Sequence, residues 1–215
     1  MNKVNMNETY SMYSTFSLCE KVLYQNQIYD FLKRLNIEYP GFYKWYKGLF
    51  LENKELQDGR EIIICEKGYR IAGVVILKSK EEKKICTLRV AAPFQRQGIG
   101  RKLMEMSFEW LQDDKPLITM HKSKRHEFAA LLEYYGFVLE QTQWNYYNIF
   151  STELSYNGVL PEKKIFFNKI EMMDIDIWYK SFIISRRNNV KEFVEECILK
   201  WYEREKKRRI NMLNY

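Results

Sequence analysis

The sequence is poor in the residues that build metal centres, disulfide frameworks and membrane spans. Its 215 residues include two histidines and four cysteines, and the cysteines at 19, 65, 86 and 197 form no CxxC pair. This pattern argues against a metal site. No run approaches the roughly 20 apolar residues that a membrane helix needs, and segment 1–13 has no apolar stretch of the signal-peptide type. We therefore predict a cytoplasmic protein that binds no metal and does not enter a membrane.

What the sequence does contain is enough apolar material for a packed core. Hydrophobic residues make up 46% of the chain and aromatic residues 16%, so wholesale disorder is excluded. The formal net charge is +7. A moderately basic protein favours an anionic partner, and a cofactor that carries several phosphates would already be one.

The first half of the chain contains two helical patterns followed by three strand patterns. Apolar residues at helical spacing predict helices over 27–35 and 42–51. Short β-branched runs at 60–66, 71–77 and 85–90 predict strands. Because short polar turns join these three runs, we expect an antiparallel meander.

After residue 90 the hydrophobic period changes from that of a strand to that of a helix. A helix is predicted from Ile99 to Trp110, and the next apolar run, 116–120, is a strand. A strand, a helix and a strand in this order form a crossover, so strands 85–90 and 116–120 should be parallel neighbours. A further helix is predicted over 125–135 and one or two strands over 137–150.

The pattern of apolar residues changes near residue 159. We therefore predict two parts, a domain over 1–158 and a helical extension over 159–215. Within the extension, 170–184 and 190–201 have helical apolar patterns. The stripe over 190–201 has to be buried against the domain, across a homodimer or on another partner.

A glycine loop precedes the helix that starts at residue 99, with the sequence Gln95-Arg96-Gln97-Gly98-Ile99-Gly100. Backbone N–H groups at a helix start are unpaired and lie at the positive end of the helix dipole, so they bind phosphate. Glycines at 98 and 100 let a pyrophosphate approach the backbone. The dinucleotide fingerprint is excluded because Leu103 stands where it needs glycine or alanine, and no Walker loop is present.

These residues resemble a known family, the GNAT acetyltransferases. The segment ICTLRVAAPFQRQGIGRKLM, residues 85–104, is similar to that family's cofactor-binding motif, and LLEYYGF at 131–137 matches its second signature in part. The resemblance covers about residues 27–158. It implies an α+β fold with a mixed, mostly antiparallel sheet, flanking helices and a splay between the fourth and fifth strands.

The resemblance also implies the function, which is transfer of an acetyl group from acetyl-CoA to a primary amine. The pantetheine arm would run through the splay and pair with main-chain groups of Leu88, Arg89 and Val90. The phosphates would be held by the loop and the first helical turn, that is by Gln95, Arg96, Gln97, Gly98, Ile99, Gly100, Arg101 and Lys102. The amine would attack the thioester directly, which requires a deprotonated amine and a protonated leaving thiolate. No metal takes part.

The catalytic positions depart from the family's pattern. Its usual asparagine aligns with Arg125 and its usual acid tyrosine aligns with Leu132. Two neighbouring tyrosines, Tyr134 and Tyr135, are therefore the candidates for the general acid. Helical phasing places Tyr135 on the packed face of its helix, whereas Tyr134 points elsewhere.

The general base and the acceptor are not determined by the sequence. Glu61, Glu66 and a chain of water molecules are alternatives for the base, and the aromatic face of helix 42–51 either packs in the core or forms one wall of an acceptor cleft. Two other functions stay open. The domain could bind CoA without turnover, or its substrate could be RNA or aminoacyl-tRNA, because Trp201 and Tyr202 lie among basic residues. Five acidic residues between Glu192 and Glu205 argue against nucleic acid.

Overall fold

The structure of the protein is a computed structural model that describes residues 8–144, 146–147 and 151–161. The chain divides into two compact units, and every described residue lies in the first of them, Met1–Glu162. The predicted helices at 170–184 and 190–201, the basic segment near Trp201 and the proposed dimer contact lie outside the described residues. The division at residue 159 therefore stays a prediction.

Seven strands and four α-helices make up the described unit. The strands are β1 Glu8–Met12, β2 Arg60–Lys67, β3 Ile71–Lys78, β4 Lys84–Val90, β5 Leu117–His121, β6 Leu139–Trp144 and β7 Thr152–Tyr156. The helices are α1 Leu18–Leu32, α2 Phe42–Lys47, α3 Ile99–Leu111 and α4 Arg125–Tyr134.

The strands form one sheet in the order β1-β2-β3-β4-β5-β7-β6. Strands β1 to β4 are an antiparallel meander, and β5, β7 and β6 are antiparallel to one another. Strand β4 runs parallel to β5. The predicted meander, the parallel pair and the mixed α+β class are thus confirmed.

The parallel pair is short. It joins Lys84 to Leu117 and Ile85 to Ile118, and no further residues of β4 and β5 pair. The two strands diverge beyond these positions, which confirms the predicted splay and leaves their carboxyl ends with a gap in the sheet.

A bulge in β4 precedes the splay. Thr87 pairs with Ile76 and Ile85 pairs with Leu77, so Cys86 is an extra residue without its own partner. Such bulges bend a strand and redirect the side chains that follow.

The two faces of the sheet are covered by different helices. On one face, residues of α3 and α4 such as Leu103 and Leu132 pack against Ile63, Val75 and Ile118 in one buried cluster. On the other face, residues of α1 and α2 pack in a second cluster, formed among others by Ile28, Leu32, Phe42, Tyr46, Ile62 and Ile76. The aromatic face of α2 is thus largely core.

Helix α1 is longer than the sequence pattern predicted, since it begins at Leu18 rather than at residue 27. Its first turn is closed by a capping box, in which Ser17 accepts from the Glu20 N–H and the Glu20 carboxylate accepts from the Ser17 N–H. The buried face of the N-terminal half of α1 carries Lys21 and Gln25 instead of apolar residues. Lys21 is tolerated there because it pairs with Glu55 at 2.7 Å, and its polarity concealed the helical period. Strands β1 and β7 were not predicted.

Candidate cofactor and acceptor site

The glycine loop lies at the carboxyl end of β4, beside the splay. A short 3₁₀ turn, Ala92–Phe94, leads from the strand into the loop, and Gly98 forms the N-terminal cap of α3. Gly98 has φ of 91°, a left-handed conformation that favours glycine. The predicted order of strand, loop and helix is confirmed.

The start of α3 has the properties of an anion cradle. No side chain caps the helix, and among the described residues the N–H groups of Ile99, Gly100 and Arg101 have no hydrogen-bond partner, because the first helical bond runs from the Lys102 N–H to the Gly98 carbonyl at 3.0 Å. Three unpaired donors at the positive end of a 13-residue helix suit a phosphate.

The two glycines leave the space in front of these donors empty. A Cβ on Gly98 would meet no atom within 4 Å, and one on Gly100 would touch only the Val90 side chain, at 3.7 Å. Gly100 does not have a positive φ, so neither its backbone nor its packing requires glycine, which weakens a helix by about 1 kcal/mol relative to alanine. The residues present therefore fit a bulky anionic group close to the backbone, as the CoA pyrophosphate would be.

The glutamines of the loop shape its backbone. The Gln95 amide donates to the Val90 carbonyl at 3.1 Å and the Gln97 amide donates to the Pro93 carbonyl at 2.9 Å. Lys67 donates to the Gln97 side-chain oxygen at 3.0 Å, which ties the loop to β2. Both side chains are thus engaged within the protein.

Positive charge near the cradle comes from three side chains. Arg96 is exposed and has φ of 60°. The Arg101 guanidinium lies over the Tyr134 ring, 4.2 Å from its centroid, and Lys102 is 4.0 Å from Glu105. These groups supply long-range attraction for phosphate, while the backbone donors supply the geometry.

The two candidate tyrosines stand at the end of α4 against the first turns of α3. Tyr134 is 62% exposed, and no hydrogen bond joins its hydroxyl to another described residue. The Tyr135 hydroxyl donates to Glu105 at 3.3 Å, and its ring packs edge-on against Phe108. Burial, followed by the Glu105 carboxylate, raises the pKa of Tyr135 to about 12. Leu132, at the family's acid position, is buried in the core.

The two glutamates considered as bases have other partners. The N–H and hydroxyl of Ser14 donate to the buried Glu61 carboxylate at 3.2 and 2.5 Å. The Tyr24 hydroxyl donates to Glu66 at 2.8 Å. Both lie on β2, which β3 separates from the splay.

A third glutamate, which the sequence reasoning missed, lies next to the open end of β5. Glu153 of β7 pairs in register with His121, and the His121 N–H donates to the Tyr39 hydroxyl at 2.9 Å. Tyr39 belongs to the loop between α1 and α2, so this loop reaches over the end of β5. No sequence motif marks Glu153, because it is a single acidic residue in β7, a short strand that was not predicted.

Glu153 is 1% exposed, and neither of its carboxylate oxygens has a hydrogen-bond partner among the described residues. Burial raises the pKa of this carboxyl to about 8, and the nearby Thr119 and Tyr39 hydroxyls and the Lys84 ammonium oppose the rise. The Thr119 and Tyr39 hydroxyls therefore lie near this carboxylate and favour its charged form. Glu153 therefore titrates near neutral pH.

Arg89 stands on β4 across the splay. It pairs with Val74, which belongs to the cluster beneath α1 and α2, and its guanidinium lies 5.3 Å from the Phe31 ring centroid. Burial, followed by Arg34, lowers the pKa of this guanidinium. The open end of β4 thus presents a cation on the side that faces α1.

A cavity of about 680 Å³ opens at the end of β5, between the start of α4 and the start of β7, and His121, His126 and Thr152 are among its lining residues. Within the described part of the chain, no three or more His, Cys, Asp or Glu side chains are grouped so that they could hold a metal ion. No described helix is both long and apolar enough to cross a bilayer.

The fold is an α+β domain with a splayed sheet, and the glycine-capped start of α3 would fit a phosphate-bearing ligand. Residues 41–144 match the family model described as the acetyltransferase (GNAT) domain. Over residues 41–144, the chain thus matches the GNAT acetyltransferase domain that its sequence motifs resemble.

One solved structure supports the fold, and two others show a weaker similarity to the chain. A protein from Desulfovibrio desulfuricans assigned to the GNAT family is 12% identical, with a TM-score of 0.50 over 70% of this chain and 97% of that one. The ribosomal-protein-S18-alanine N-acetyltransferase of Escherichia coli is 16% identical, with a TM-score of 0.48 over 74% and 100%. A GNAT-family acetyltransferase from Elizabethkingia anophelis, solved with acetyl-CoA, is 17% identical, with a TM-score of 0.45 over 72% and 97%. No curated protein sequence matches the chain.

Proposed function

We propose that this protein is an N-acetyltransferase that moves an acetyl group from acetyl-CoA to a primary amine by direct attack on the thioester. The observation that carries the proposal is the cradle at the start of α3, where three unpaired N–H groups face a space cleared by Gly98 and Gly100. Bound acetyl-CoA would supply the activated acetyl group.

We expect the cofactor to bind at the β4 side of the splay and the acceptor amine to bind near the end of β5. Beyond Ile85, β4 has a strand partner only on its β3 side. Its other edge, over Leu88 to Val90, is therefore open to an extended ligand such as the pantetheine arm. The loop between α1 and α2 covers the end of β5 from the other face of the sheet, where an acceptor amine would approach.

Isothermal titration with acetyl-CoA and a free-thiol release assay test this function. We expect binding, and CoA release with at least one acceptor from a panel of spermidine, lysine-containing peptides, peptide N-terminal amines, aminoacyl-tRNA and hydroxylamine. Absence of acetyl-CoA binding by the wild type would rule the proposal out.

Tyr134 is the tyrosine that we expect to protonate the leaving thiolate. Its hydroxyl is exposed and free of described partners, whereas the Tyr135 proton is held by Glu105. We expect Tyr134→Phe to lower kcat by about 10² or more and to leave acetyl-CoA binding within a few fold. Steady-state kinetics measure this effect.

Tyr135→Phe is the matched control for that substitution. It removes a hydroxyl from the neighbouring ring and should lower the melting temperature slightly, with little change in kcat. Equal rates for wild type and Tyr134→Phe would eliminate Tyr134 as the acid.

One observation favours a second candidate, a domain that binds CoA without turnover. Leu132 is buried in the core at the family's acid position, so no acid can act from there. Binding of acetyl-CoA without thiol release across the whole panel would favour this candidate. The cytoplasmic location and the RNA-directed alternative stay predictions.

A further inference from the structure

We propose that Glu153 is the general base of this site, the group that takes a proton from the ammonium form of the acceptor. This inference rests on the proposed transferase function. Two observations support it: Glu153 lies beside the splay, and buried oxygen atoms without hydrogen-bond partners surround it.

The sheet register places Glu153 one strand away from the gap. It pairs with His121, and the pairing of β5 with β4 already ends at Ile118. On β5 the core residues Ile118 and Met120 face α3 and α4. Strand alternation therefore puts Thr119 and His121 on the opposite face, together with Glu153.

Several buried oxygen atoms around Glu153 have no hydrogen-bond partner among the described residues. Gln143 is the register partner of Glu153 on β6, and Ser155 is two residues along β7, so all three side chains share one face of the sheet. Both Glu153 oxygens, the Gln143 amide oxygen and the Ser155 hydroxyl are buried without a partner among the described residues. An alkylammonium ion carries three N–H donors and a positive charge. It is the kind of group that this cluster of oxygens would accept.

No other buried carboxylate of the described chain is free to do this. Glu61 is the only other one, and Ser14 occupies both of its oxygens. On β4 the splay presents Arg89, a cation that cannot accept a proton at neutral pH. The base is therefore assigned to the β7 side of the gap.

The charges and titratable groups around Glu153 set its proton affinity. They come from β4, from the loop before α2, from β5 and from the segment before β7, and are Lys84, Glu38, Tyr39, His121, Tyr146 and Tyr147. Burial outweighs the opposing Lys84 charge and brings the pKa of Glu153 to about 8. A base with such a pKa both accepts and releases a proton near neutral pH.

The acceptor ammonium gives one proton to the Glu153 carboxylate, and the neutral nitrogen attacks the thioester carbonyl carbon. A carbon–nitrogen bond forms and the carbon–sulfur bond breaks. Tyr134 gives its proton to the CoA sulfur, and a second nitrogen proton restores the Tyr134 hydroxyl. The amide keeps the third proton, and Glu153 returns its proton to water.

Acceptors of different basicity test the assignment. An alkylamine is an ammonium ion at pH 7 and needs the base, whereas hydroxylamine is already neutral. We expect Glu153→Gln to lower kcat/KM for the fastest alkylamine of the panel by about 10² or more. The rate with hydroxylamine should fall by less than about tenfold, and the Kd for acetyl-CoA should stay unchanged. Glu140→Gln, an exposed change on the neighbouring strand β6, is the control and should alter none of these.

Four other results would contradict the role of Glu153 or the proposed function. Unchanged alkylamine turnover, or equal losses with alkylamine and hydroxylamine, would overturn the role of Glu153 while the transferase function stands. A wild type that binds acetyl-CoA but acetylates no member of the panel would overturn it as well, and one that binds no acetyl-CoA defeats the proposed function first. If Glu153→Gln fails to fold, Glu153→Asp decides, since it keeps the carboxylate and should retain part of the alkylamine rate.

Discussion

Gly98→Leu is expected to weaken acetyl-CoA binding strongly, while Gly41→Leu leaves it intact. The two glycines are a matched pair. Each caps the start of a helix in the left-handed conformation, with φ of 91° at Gly98 and 87° at Gly41, and a Cβ at either position would meet no protein atom within 4 Å. Both substitutions therefore cost the same backbone strain, about 1–2 kcal/mol. They differ only in what the new side chain would face.

At position 98 the leucine would fill the space in front of the unpaired N–H groups of α3, where the pyrophosphate is proposed to lie. We expect the Kd for acetyl-CoA to rise by at least about 100-fold, which corresponds to about 2.7 kcal/mol. Isothermal titration measures the affinity, and thermal unfolding checks that both variants lose similar stability. Equal affinities for the two variants would show that the cradle does not hold the cofactor.

Glu153→Gln is expected to make the protein more stable than the wild type at pH 8 and equally stable at pH 4.5. In the folded protein, burial raises the pKa of Glu153 from 4.5 to about 8. Between these values the unfolded chain releases a proton that the native state keeps, so the free energy of unfolding falls as the pH rises. At 1.36 kcal/mol per pKa unit, the wild type loses up to about 5 kcal/mol over this range.

The stabilising contribution of the protonated carboxyl is thus complete below pH 4.5 and is lost as the pH approaches 8. Glutamine has nearly the same shape and does not titrate, so the variant should lack this part of the pH dependence. Urea unfolding at pH 4.5, 6 and 8 measures the difference, with Glu140→Gln as the exposed control. Parallel curves for wild type and Glu153→Gln would mean that Glu153 is ionised in the native state at all three pH values.

The strand, loop and helix that form the proposed cofactor site were predictable because they are local in sequence. The strand, glycine loop and helix span residues 84–111, and glycine spacing together with the change of period indicates each part. The backbone donors at the start of α3 follow from helix geometry alone, whatever the rest of the fold.

The surroundings of Glu153, where we propose that the acceptor binds, were not predictable because they depend on contacts between distant parts of the chain. Glu153 pairs with His121, which is 32 residues earlier in the chain. It belongs to β7, a strand that the hydrophobic pattern did not predict. It also lies outside residues 41–144, which match the family model. Its neighbour Tyr39 is more distant still in sequence. Contacts of this kind depend on strand order, which hydrophobic periodicity does not encode.

The bulge at Cys86 determines which side chains of β4 face α3 and which face α1. Because Cys86 is the extra residue in β4, Leu88 and Val90 pack towards α3, while Arg89 shares the side of Val74 beneath α1. A chain one residue shorter at this point would reverse every later side chain of β4, so that Arg89 would face α3 while Leu88 and Val90 would face α1. The extra residue at position 86 thus sets which face of the open strand carries the positive charge.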